Sequence, residues 1–122
     1  MLGPDDPVSR YLFDKRHFSP QNKRVKQGAF LPDSNLETSV FFIKDLVEEA
    51  VWKLGEDYAA QGRTLRGRAQ IPVKAVEKAK LALLLAEPPP RHGVIVKWPQ
   101  DKDLQKALAL ELAENAELKL RV

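Results

Sequence analysis

The sequence predicts an α+β fold: a small mixed sheet of four or five strands with about three helices, behind a loop-rich N-terminal arm. Three observations predict it. Apolar residues recur at helical spacing in two long stretches, and short β-branched or aromatic runs lie between turn residues. The chain has 122 residues, 43% of them hydrophobic, which suffices for one core without disulfide staples.

Residues 1–9 carry Pro4, Asp5, Asp6 and Pro7 and read as a flexible arm; residues 10–122 read as one α+β domain. Short extended pieces are expected near residues 10–13 and 29–31, with a Pro32-Asp33 turn after the second. Thr38 to Ile43 is β-branched and aromatic, which predicts a strand. A helix follows, with Asp45 as N-cap, Glu48 three residues on, and Leu46, Val47, Ala50, Val51, Leu54 and Tyr58 on one stripe. Gly62 is placed to end it.

Thr64 to Ile71 predicts a second strand, and Pro72 suits the start of a short helix to Lys80. The continuous apolar run Leu81 to Ala86 predicts a buried strand, Pro88 to Pro90 an extended loop, and Gly93 to Val96 another strand. Asp101 or Asp103 caps a last helix to about Asn115, with Leu104, Leu108 and Leu112 inward. Alternation of Leu118, Leu120 and Val122 with Lys119 and Arg121 predicts a terminal strand with one buried face. The helices are expected on one face of the sheet.

Composition narrows the chemistry. The chain has no cysteine and two histidines, which removes disulfides, thiolate metal sites and a cysteine nucleophile; no metal site and no cofactor are expected. No apolar run approaches the roughly 18 residues of a membrane span, and no leader pattern opens the chain. A cytoplasmic protein without membrane contact is the expectation. The net charge of +3 is uneven: residues 62–99 hold eight Lys/Arg against two Asp/Glu, and residues 36–61 hold two against six.

That basic segment contains the strongest candidate, Gly62-Arg63-Thr64-Leu65-Arg66-Gly67-Arg68. Guanidinium forks suit phosphate, so Arg63, Arg66 and Arg68 point to nucleic acid or another phosphate-bearing ligand. The plainer reading pairs them with carboxylates of the preceding helix, Glu48 among them. Lys15-Arg16-His17-Phe18 and the loop Lys23, Arg24, Lys26 interleave cations with Tyr11, Phe13, Phe18 and Phe30, a pattern suited to single-stranded RNA or DNA. Arg91, Lys97 and Trp98 flank a strand and join the candidate binding set.

The leading expectation is a small binding module for nucleic acid, RNA favoured. A metal-independent ribonuclease of the toxin type is the first alternative, with His92 or His17 as acid–base groups. The second is a subunit or inhibitor acting through a protein partner or a homodimer, by way of the last helix or the edge of the terminal strand. No phosphate-binding loop, nucleophile elbow or RNA-recognition aromatic signature is present.

Overall fold

Strand pairing, not helix packing, organises the chain. The computed structural model describes residues 2–59 and 62–121. Its strands are β1 (Pro7–Leu12), β2 (Phe18–Ser19), β3 (Arg24–Val25), β4 (Thr38–Phe42), β5 (Gly67–Pro72), β6 (Ala82–Leu85), β7 (His92–Val96) and β8 (Glu117–Leu120). The helices are α1 (Glu48–Tyr58), α2 (Val73–Lys78) and α3 (Lys102–Glu114). Six strands make one sheet in the order β6-β7-β4-β1-β5-β8, and β2 and β3 form a separate hairpin.

The α+β class holds, with a larger sheet than expected. It is also not mixed: every pairing in it is antiparallel. Residues 7–9, expected in a flexible arm, belong to an interior strand. Val8 and Ser9 are fully buried, because β1 lies between β4 and β5 and pairs with β5 along its whole length, from Pro7 opposite Pro72 to Leu12 opposite Gly67. Pro7 is tolerated as the first residue of its strand. The residues before it are tied down as well, since Val73 and Lys74 donate their backbone N–H groups to the Asp6 and Pro4 carbonyls.

Alternation along the strands sends side chains to two cores, with helices on both faces rather than one. Val8 and Leu12 of β1, Val40, Ala69, Ile71 and Ile95 pack with α2, α3, Phe30 and Trp98. Tyr11, Phe41 and Ile43 face the other way, against Val51 of α1 and Leu65. Two-sided coverage explains the continuous apolar runs at residues 40–42 of β4 and 94–96 of β7, whereas β1 and β5 carry Arg10, Arg68 and Gln70 among their apolar residues.

Local expectations fail where a neighbour intervenes. Asp45 sits in a turn with φ 66° and caps nothing; α1 starts three residues later, after an exposed Val47. The apolar run Leu81 to Ala86 forms an edge strand, paired only with β7, and leaves Leu84 and Leu85 in solvent. Pro88 to Pro90 turns the chain back towards β7 through cis peptide bonds at Pro88 and Pro89 instead of running extended. The strand expected from Thr64 begins only at Gly67. In α3 the Asp101 cap holds, accepting from the Leu104 N–H. Its buried stripe is rotated to Gln105, Ala109, Leu112 and Ala113, and Leu104 and Leu110 are exposed. Small residues there let α3 come close to the turn at Gln27–Ala29.

The fit of α1 on the sheet depends on one close approach. At Gly55 a Cβ would lie 2.7 Å from the Tyr11 ring, whose hydroxyl donates to the Val51 carbonyl of the same helix. Burial pushes that phenol up to about 12 from its ordinary 10.0. A raised acid favours the folded state while it stays neutral. The contribution is complete below pH 10 and is lost as pH rises through about 12. The stability gap between the wild type and Tyr11→Phe is therefore expected to narrow across that window, as read from urea midpoints.

Candidate functional groove

A cleft of about 360 Å³ opens where β1 ends against the 3-10 turn Lys15–His17, the Asp33–Glu37 turn and the C-terminal end of α1. Arg10, His17, Asp33, Glu37, Tyr58 and Arg63 line it. Arg10 reaches it from the middle of β1. Its Nε donates to the Ala29 carbonyl at 2.8 Å and its Nη1 to that of Ser39 at 2.9 Å. Both partners are neutral, so the guanidinium is fixed in place with its charge unpaired among the described residues. Burial lowers the pKa of Arg10, with Arg63 adding to the effect and Tyr58 and Asp33 opposing it.

The carboxylates of the cleft have different duties. Asp14 accepts from both the backbone and side chain of Arg16, which hold its carboxyl well below the usual range. The Asp33 Oδ1 accepts the backbone N–H groups of Asn35 and Glu37 and so shapes its own turn. Glu37, carried by that turn, has no side-chain hydrogen bond or ion pair among the described residues, and neither has the His17 ring. That ring rests on Gly28, where a Cβ would come within 3.2 Å of Cδ2. Burial lowers the His17 pKa; Asp14 opposes the shift, and Arg10 and Arg16 add to it.

Two further hollows continue the cleft into a groove. The first shares Phe13, Asp14 and Arg63 with the cleft. The second shares Lys15, Thr64 and Arg66 with the first and ends at Phe18 and Arg121. Arg63 lies 4.1 Å above the Phe13 ring centre and donates to the Tyr58 carbonyl. Arg66 donates its Nε to the Phe13 carbonyl at 2.9 Å. Register brings these groups together. Leu12 pairs with Gly67, so the residues just beyond each, Phe13 and Arg66, are neighbours.

Of the residues singled out by sequence, His17, Arg63 and Arg66 meet in this groove. Arg68 does not. It points to the α1 face, 1% exposed, donating to Glu48 and Gln70 beneath the Trp52 ring. Arg91 donates to the Phe42 and Lys44 carbonyls and fastens the end of β4. His92 is held through Nδ1 at the Ala86 carbonyl and packs against Phe41 and Tyr58, behind the cleft wall. Lys23, Arg24 and Lys26 line a separate hollow beside the end of α3. Lys97 is exposed beyond β7, and Trp98 is buried in the larger core with its indole N–H on the Ile95 carbonyl. As for the expected partner surfaces, β8 is an edge strand with Leu120 exposed, and α3 leaves Leu104 and Leu110 in solvent.

Sequence reasoning missed Arg10, Glu37 and Tyr58. Arg10 had a signal: it alternates with Val8 and Leu12, which puts a charge on an inward position of an apolar strand. Among the described residues, no group of three or more His, Asp or Glu is placed to hold a metal ion, and no helix is long and apolar enough to cross a membrane. No family model, curated protein or solved structure matches the chain.

Proposed function

We propose that the groove binds single-stranded nucleic acid. One observation carries the reading: Lys15, Arg63 and Arg66 line continuous hollows, and none of them is paired with a carboxylate among the described residues. Arg16, Arg68 and Arg121 have such partners. Unpaired cations in a row track a phosphate backbone, and the half-buried rings of Phe13 and Tyr58 at the cleft end of the same path supply surfaces for unstacked bases, whereas Phe18 belongs to the core. Duplex does not fit the reading, because its bases are already stacked on one another.

The test is anisotropy of labelled single-stranded RNA and DNA titrated with protein over a range of salt. Affinity is expected to fall steeply with salt, by about 0.7 in log–log slope for each phosphate contact on a single strand. The double variant Lys15→Ala, Arg66→Gln should bind more weakly and lose about that much slope for each cation removed. Absence of binding at low salt, or a double variant indistinguishable from wild type, rejects the groove as a nucleic-acid site.

A further inference from the structure

We propose that the closed end of the groove cleaves the RNA backbone, with Glu37 as base, His17 as acid and Arg10 as the anchor of the reacting phosphate. The inference rests on the nucleic-acid reading of the groove and adds a reaction to it. Three side chains of complementary chemistry, Arg10, His17 and Glu37, line the same cleft. Arg10 is immobilised by two carbonyls yet keeps its charge uncompensated by any carboxylate. Glu37 and His17 have no side-chain partner among the described residues. Asp33 is occupied with the backbone of its turn, which leaves Glu37 as the carboxylate available as base. His92, the other histidine, is committed to the Ala86 carbonyl and stacked behind Tyr58. A cleft of about 360 Å³ is at the small end of ligand sites, which span about 300–1,000 Å³, and accommodates about one nucleotide.

The chemistry balances with these groups alone. The Glu37 carboxylate takes the proton of a ribose 2′-OH while that oxygen forms a bond to the adjacent phosphorus. The bond from phosphorus to the 5′-oxygen breaks, and the departing oxygen takes a proton from the His17 imidazolium. The products are a 2′,3′-cyclic phosphate and a 5′-hydroxyl end; no water is consumed and nothing is oxidised or reduced. Arg10 and Arg63, both lining the cleft, supply positive charge to the non-bridging oxygens, where negative charge accumulates in the transition state. The groups facing His17 are Asp14, Arg10 and Arg16. A phosphodiester seated on Arg10 adds a negative charge beside the ring, which favours the protonated form the step requires.

The experiment compares a short labelled single-stranded RNA with DNA of the same sequence, using the whole chain. The RNA is expected to be cut to products ending in a 2′,3′-cyclic phosphate, and the DNA to be bound uncut. His17→Gln and Glu37→Gln should each slow single-turnover cleavage by about 10²–10⁴-fold when the protein saturates the RNA, so that the loss lies in the chemical step and not in binding. Raising the pH through the His17 value, which burial places below the ordinary 6.5, should slow the wild type, because the ring loses its proton. An RNA with one 2′-deoxy residue needs no variant: the wild type should spare that position and cut elsewhere. Binding without cleavage, or cleavage that neither substitution slows, overturns the reaction and leaves the groove reading standing. Failure to bind either strand overturns both.

Discussion

Trp98→Ala is expected to lower the stability of the fold by about 3–5 kcal/mol and to leave the affinity of folded protein for single-stranded nucleic acid unchanged. Trp98 follows β7, a strand flanked by Arg91 at its start and Lys97 at its end, and its position in sequence suits a stacking platform. In the structure it is 5% exposed and belongs to the core shared by β5, β7, α2 and α3. Truncation removes a large buried aromatic body, leaves a cavity between the sheet and the helices, and removes the indole N–H donated to the Ile95 carbonyl. Domains of this kind hold about 5–15 kcal/mol in total, so the variant should melt many degrees below wild type. Urea unfolding followed by circular dichroism measures the loss. A stability change under about 1 kcal/mol together with weakened oligonucleotide binding would return Trp98 to the ligand surface.

The contrast shows which parts of this protein are local and which are not. The helices α1, α2 and α3 were legible because caps, prolines and apolar spacing act within a few residues; Asp101 and Pro72 mark two of their starts. Strands β4 and β7 were legible from β-branched and aromatic residues between turns. The interior strand β1 was hidden by Pro7 and by acidic neighbours that suggest a tail. It is a strand because β4 and β5, distant in sequence, pair with it on both sides. Apolar content likewise does not separate a buried strand from an edge, so Leu81 to Ala86 reads as interior in sequence although β6 closes the sheet at its edge. The candidate site divides along the same line. Sequence marked Arg63, Arg66 and His17 as cations of interest. Only the pairing of Leu12 with Gly67 brings them to one groove, and only the Asp33 turn adds Glu37. In a continuous strand Arg66 and Arg68 would share one face, yet Arg66 precedes β5 and Arg68 lies inside it, so they serve different surfaces.

Arg68 gives the second large effect, and its sign depends on the replacement. Arg68→Ala is expected to cost about 2–4 kcal/mol, because it empties the space under Trp52 that the aliphatic stem and guanidinium fill. Arg68→Met fills most of that space without the charge. A guanidinium that is 1% exposed has given up its hydration, and its Nε has no partner at all. Its main compensation comes from Glu48, 59% exposed, which water solvates well without it. Removing the buried charge therefore releases a desolvation cost nearly as large as the interactions lost, and Arg68→Met should lie within about 1 kcal/mol of wild type. Glu48→Ala falls between the two, since it leaves the buried charge with only Gln70 and Trp52. Burial works against ionisation of Glu48, yet its hydrogen bonds and charge pairing with Arg68 hold the carboxyl below its ordinary 4.5. The stability this pair contributes is present above pH 4.5 and is lost as pH falls through the lowered value, a dependence that Arg68→Met should flatten. Denaturant midpoints of the three variants at neutral and acid pH check the order. Oligonucleotide affinity separates structure from function: Arg68→Met should bind as wild type does, whereas loss of affinity matching that of Arg66→Gln would place Arg68 in the ligand surface after all.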